Sequence, residues 1–121
     1  MARTFKLTAD GGSRGNPGPA GYGAVVTENG KIVAELFDVI GVATNNVAEY
    51  QGLIAGLIHI HSLDPDATVE VQMDSKLVVE QMSGRWQIKH SNMRELAAQA
   101  RAAHTPSLVK YSWIPRDLNS H

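Results

Sequence analysis

Near residue 46 the hydrophobic pattern changes its period, and few architectures accommodate such a change. Before that point apolar and polar residues alternate. Arg3 to Ala9 sets Phe5, Leu7 and Ala9 against Lys6 and Thr8, the pattern of a half-buried strand. Tyr22 to Thr27 and Ile32 to Val42 read as two more strands. They are joined by Glu28-Asn29-Gly30-Lys31, where Asn-Gly signals a tight hairpin turn. Between the first and second strands, DGGSRGNPGPAG is rich enough in glycine and proline to predict a loop. From Asn46 to His61 the spacing changes. Val47, Tyr50, Ile54, Leu57 and Ile58 follow a helical stripe of about 3.6 residues.

Asp64-Pro65-Asp66 breaks that helix, and Thr68 to Met73 alternates as a fourth strand. Ser75 to Met82 reads as a short helix closed by Ser83-Gly84. Met93 to His104 is a strong helix former, stopped by Thr105-Pro106, and Leu108 to Ile114 is a fifth strand. The order βββαβααβ predicts an α/β fold. A meander of three antiparallel strands precedes helix-linked parallel strands, giving a five-stranded mixed sheet with helices on its faces.

The 121 residues, 43% of them hydrophobic, suffice for one domain and show no repeat or linker. Residues 1–121 are therefore read as a single unit. The absence of cysteine excludes disulfides and thiolate-bound zinc or iron–sulfur sites. No apolar run approaches the roughly 20 residues of a membrane span, and the first residues lack the apolar core of a signal peptide. These features predict a soluble cytoplasmic protein without a membrane partner. The net charge of −1 hides an asymmetry. Through Asp74 acids prevail. From Lys76 to Arg116 the chain carries Lys76, Arg85, Lys89, Arg94, Arg101, Lys110 and Arg116 against only Glu80 and Glu95. An acidic half that holds cations and a basic half that meets phosphates is one source of such a pattern; ordinary solvated surface is the other.

Three acids stand out by position. Asp10 ends the first strand, Glu49 falls in the first turn of the long helix, and Asp74 ends the fourth strand. The first and fourth strands flank the change from antiparallel to parallel pairing, where open α/β sheets place their ligand sites. Acids converging there repel one another unless they hold cations. With oxygen ligands only, those cations are Mg²⁺ or Mn²⁺. Each acid also has a local explanation. Asp10-Gly11 suits a turn, Asn46-x-x-Glu49 resembles a capping box, and Asp74 or Ser75 suits the cap of the short helix. Trp86 is either a stacking platform or core, the commoner fate of a large aromatic between helices. His59 and His61 point different ways, which argues against a shared metal, and His104 suits a helix C-terminus.

The blocks DGGSRGNPGPAGYGAV, TNNVAEYQGLIAGL and MDSKLVVEQMSG resemble the three signatures of type 1 ribonucleases H. The nearest likeness is to the N-terminal domain of actinobacterial bifunctional proteins in which a phosphatase domain follows. The resemblance implies hydrolysis of the RNA strand of RNA–DNA hybrids, leaving 5′-phosphate ends. It assigns Asp10, Glu49 and Asp74 to two Mg²⁺ or Mn²⁺ ions. Substrate contacts fall on Gly11 and Gly12 beside Asp10, on Asn16 and Asn45, and on Thr44 as a phosphate contact. Trp86 and Arg116 are weaker candidates, Arg116 standing about where some members carry a mobile histidine.

Two departures qualify the resemblance. The family pattern runs to a fourth carboxylate, which would lie just beyond His121, so the chain is expected to stop short of it. Asp117 does not match that position. The chain also passes from Gly84 through RWQIKHSN to the last helix, without the extra basic helix of some members. Arg85, Lys89 and Trp86, or another domain, would then carry the grip on the hybrid. A non-catalytic hybrid-binding module and another nuclease on the same fold remain as alternatives.

Overall fold

In the computed structural model, which describes residues 2–118, five strands and three helices form one sheet covered mainly on one face. The strands are β1 (Thr4–Ser13), β2 (Gly18–Glu28), β3 (Lys31–Ala43), β4 (Thr68–Met73) and β5 (Val109–Trp113). The helices are α1 (Asn45–Leu63), α2 (Lys76–Met82) and α3 (Ser91–Ala103). The sheet order is β3-β2-β1-β4-β5, antiparallel through β1 and parallel from β1 to β5. The expected mixed sheet is thus present, and β1 and β4 are neighbours. Among the described residues no helix is long and apolar enough to cross a membrane.

The alternation read in the sequence becomes a buried layer. Phe5 faces Val69 and Leu7 faces Val71 across the parallel pair, all buried. Tyr50, Leu53, Leu57 and Ile60 of α1 close over them, joined by Met93, Leu96, Ala97 and Ala100 of α3. Removing such side chains from water is the main source of the fold's stability. The expected stripe on α1 is only partly right. Ile58 is 56% exposed, whereas Leu53 and Ile60 are fully buried. The helix is covered by the sheet and by α3 together, so its buried arc is wider than one stripe and rotated from it.

The glycine-rich segment departs from expectation. Gly11, Gly12 and Ser13 continue β1 and pair with Tyr22, Gly21 and Ala20, so the loop shrinks to residues 14–17. Asp10 accordingly lies inside the strand, opposite Gly23, and not in a turn. The reason is close packing. A Cβ on Gly11 would lie 2.4 Å from the backbone carbon of Ala48, and one on Gly56 would lie 2.4 Å from Leu7 Cδ1. Absent side chains let α1 rest directly on β1. At the β2–β3 turn Asn29 and Gly30 both adopt positive φ, as a two-residue hairpin turn requires.

Candidate active site

The contact of α1 on β1 decides where Glu49 stands. Thr44 caps the helix, its hydroxyl accepting from the Val47 N–H at 3.3 Å, so the helix begins at Asn45. Glu49 therefore lies past the first turn and cannot close a capping box. Ser75 caps α2 by accepting from the Val78 N–H, leaving Asp74 free of that task. All three acids have lost the local explanation each had in the sequence. Asp10, Glu49 and the residue after Asp74 line one cleft of about 1090 Å³, with Gly11, Gly12, Asn45, Lys76 and Arg116.

The electrostatics of the acids follow from this crowding. Burial, and then the charge of Asp74, raise the Asp10 carboxyl above the ordinary aspartate value. Glu49, only 8% exposed, is pushed up to about 7, chiefly by burial. A hydrogen bond with Ser75 works the other way, and the charges of Asp74 and Asp10 add to the rise. Arg116 Nε stands 3.4 Å from Asp74 Oδ2, whose side chain is 5% exposed. The acids feel one another, as ligands of a shared cation must. Among the described residues, however, no three His, Cys, Asp or Glu side chains are set closely enough to hold a metal ion as they stand. Ser75 occupies Glu49, and Arg116 supplies positive charge at Asp74. The oxygen-only donor set and mutual repulsion suit a hard divalent cation once the side chains turn inward.

The remaining expected residues divide into two groups. Asn16 and Asn45 lock the hairpin loop to the start of α1. Asn16 Oδ1 accepts from the Asn45 N–H at 3.0 Å, and Asn45 Oδ1 accepts from the Ser13 N–H at 2.8 Å. With Thr44 engaged on Val47, two of the first helical N–H groups are taken by protein. Arg116 is brought into the cleft, whereas Trp86 is not among its walls. Trp86 is 45% exposed, so the expectation of a core position is also wrong: the segment after α2 stays on the surface. Arg85 is clasped by Glu80 at 2.6 and 3.0 Å, which neutralises one of the expected basic contacts. His61 and His104 meet at 3.1 Å through their Nδ1 atoms, and His104 Nε2 lies 2.7 Å from the Ala67 carbonyl. Sequence reasoning missed Phe37, Asp38 and Val39, which form the cleft's far side. Only the pairing register of β3 could reveal them. Asn119 to His121, the lead-in to the expected fourth carboxylate, lie outside the described residues.

A mixed sheet with acids on β1, on α1 and after β4 defines the ribonuclease H-like class. Residues 8–121 match the family described as reverse transcriptase-like. Over 118 residues the chain is 54% identical to the bifunctional protein Rv2228c of Mycobacterium tuberculosis, covering 95% of this chain and 32% of that protein. The chain thus spans about a third of the length of that curated relative. The solved N-terminal RNase H domain of Rv2228c, fused to maltose-binding protein, superposes with a TM-score of 0.90 at 53% identity. That match covers 98% of this chain and 86% of the other. LC11-RNase H1, solved in complex with an RNA/DNA hybrid, gives 0.87 at 38% identity, covering 96% and 88%. The chain belongs to the type 1 ribonuclease H family.

Proposed function

We propose that the chain is the catalytic domain of a metal-dependent endoribonuclease that cuts the RNA strand of RNA–DNA hybrids. One observation carries the reading. Asp10 and Glu49 line one cleft, the charge of Asp74 beside Ser75 reaches both, and none of the three acids caps a helix or closes a turn there. The hybrid bound by LC11-RNase H1 supports the choice of substrate.

Asp10, Glu49 and Asp74 would hold Mg²⁺ or Mn²⁺, two ions with substrate bound. Held there, such ions would supply activation of water and stabilisation of the leaving oxygen, the chemistry expected to leave 3′-hydroxyl and 5′-phosphate ends. The chain's own residues prepare the site. Burial raises the Glu49 carboxyl to about 7 while no cation is bound, so taking up the metal near neutral pH would release its proton. Lys76 and Arg116 draw phosphate into an otherwise acidic cleft. Gly11 and Gly12 line the cleft beside Asp10, where a ribose 2′-hydroxyl can be read. Asn16, Thr44 and Asn45 fix the loop that borders the backbone track. Contacts to sugar and phosphate predict little base preference. A following phosphatase domain and a cytoplasmic location complete the reading; the relative called bifunctional, of which this chain covers 32%, supports a second domain.

The test is Mg²⁺-dependent cleavage of a labelled hybrid, with duplex DNA and single-stranded RNA as controls. Asp10→Asn is expected to lower the rate by roughly 10³-fold while leaving the melting temperature near wild type. Undiminished cleavage by that variant would end the mechanism. The Arg116–Asp74 pair favours a second reading, a module that binds hybrid without cutting it. Hybrid binding with no metal-dependent cleavage by the parent chain would select that reading.

A further inference from the structure

Two neighbouring rows of cross-strand partners run from the acid to the edge of the sheet. In one row Asp10 faces Gly23, and Gly23 faces Phe37. In the next, Gly12 faces Gly21, and Gly21 faces Val39. Partners in a row share a face of the sheet, so acid and apolar side chain stand on one surface with glycine between them. Two strand spacings separate their backbones by roughly 10 Å. The result is a groove whose floor carries no side chains.

Internal packing does not explain that floor at two of its positions. Neither Gly12 nor Gly23 has a positive φ. A Cβ at Gly23 would come no closer than 3.9 Å to the Leu36 carbonyl oxygen, and one at Gly12 no closer than 3.7 Å to Asn45 Oδ1. Both are ordinary contacts, quite unlike the 2.4 Å collision at Gly11. Glycine inside a strand weakens it and often marks a close approach by something else. The outer side is equally unusual. Phe37 is 85% exposed and Val39 83% exposed, although they sit on an edge strand, where charge normally discourages pairing. Both line the same cleft as Asp10 and Glu49.

We propose that Phe37 and Val39 form the outer wall of the substrate groove, packing against sugar faces of a nucleic-acid strand laid over Gly12 and Gly23. The chemistry fits such a polymer: phosphates belong at the cation-binding acids, and the apolar ring faces of the sugars belong against Phe37 and Val39. The two residues position the hybrid and touch no reacting atom. The inference rests on the nuclease reading and adds to it a strand, β3, that carries none of the acids.

The experiment compares Phe37→Ala, Val39→Ala and Phe37→Leu with the parent chain. Affinity for a fluorescein-labelled hybrid is read by anisotropy, and single-turnover cleavage is read at saturating protein. Phe37→Ala is expected to weaken binding roughly 10-fold and Val39→Ala roughly 3-fold, with the saturated rate within about 2-fold of parent. Phe37→Leu restores most of the affinity. Gly23→Ala weakens binding at an unchanged melting temperature, because its Cβ meets only the ligand. Affinity unaltered by Phe37→Ala, in a parent that binds hybrid, overturns the wall and leaves the nuclease reading intact. A parent that binds no hybrid overturns both. If the parent sediments as a dimer and Phe37→Ala as a monomer, β3 faces a second copy and the proposal is wrong.

Discussion

The parallel strands β1 and β4 have two ends, and the acids at those ends live under opposite conditions. At the N-terminal end, Asp64 accepts hydrogen bonds from the backbone N–H groups of Asp66, at 3.0 Å, and Arg3, at 3.2 Å. Glu28 receives the Arg3 guanidinium at 2.7 and 2.8 Å. Both carboxyls are held below their ordinary values, Asp64 mainly by the Asp66 N–H and Glu28 mainly by Arg3. At the C-terminal end, burial raises Asp10 and Glu49. One end answers its charges within the chain. The other buries Asp10 and Glu49 beyond what Gly11, Ser75 and Arg116 offset, at a cost in stability, and a cost retained in a folded protein points to something bound.

The backbone geometry differs between the ends as well, and the largest expected effect tests it. Gly11 is where α1 presses on β1 beside the acids. Gly11→Ala places a methyl group against the Ala48 backbone, which cannot step aside like a side chain. The expected loss is about 3 kcal/mol or more, seen in urea unfolding. A variant as stable as the parent would show that Glu49 is not brought to Asp10 by close helix–strand contact.

The next effect is smaller and has the opposite sign. Because the folded Glu49 carboxyl titrates near 7, against 4.5 for an ordinary glutamate, the folded state holds the extra proton between those values. Stability therefore falls as pH rises through that window. In chelator at pH 8, Glu49→Gln removes the buried charge and should stabilise the fold by at most about 3 kcal/mol. Near pH 4 the gain should vanish. Thermal unfolding at the two pH values measures it, and a difference that ignores pH would count against a desolvated acid.

Much of the contrast was legible in the sequence. Alternation in Phe5, Leu7 and Ala9 placed β1, the Asn29-Gly30 pair placed the hairpin, and the strand order put Asp10 and Asp74 at the same end. What escaped was set by tertiary contact. Gly11 and Gly12 read as loop because their composition is that of a loop; they are strand because they pair with Tyr22 and Gly21, and α1 excludes a Cβ at Gly11 alone of the two. Thr44, Asn45 and Asn46 are all plausible caps, and only the folded chain selects Thr44. The Phe37–Val39 edge depends on pairing register, and the surface position of Trp86 on a segment that packs Ile88, not Trp86, against the core. Local pattern located the acids. Long-range contact decided what surrounds them.

The smallest expected effect completes the contrast at the N-terminal end. Asp64→Asn keeps the Oδ1 acceptor for the Asp66 N–H and removes the charge beside Arg3 together with the exposed Oδ2 acceptor of the Arg3 N–H. Exposed charge pairs add little to stability, so the variant should melt like the parent at neutral pH. Its value lies in the slope. A carboxyl held below 3.8 in the fold contributes stability above that value and loses it as pH falls through the folded value, the reverse of Glu49. Asp64→Asn should flatten the acid limb of the stability profile, while Glu49→Gln flattens the limb between 4.5 and 7. If both variants altered the same limb in the same direction, the two ends would not be under opposite conditions. The acids in the cleft would then be as ordinary as Asp64, and their raised protonation could no longer be counted as a sign of a site awaiting cations.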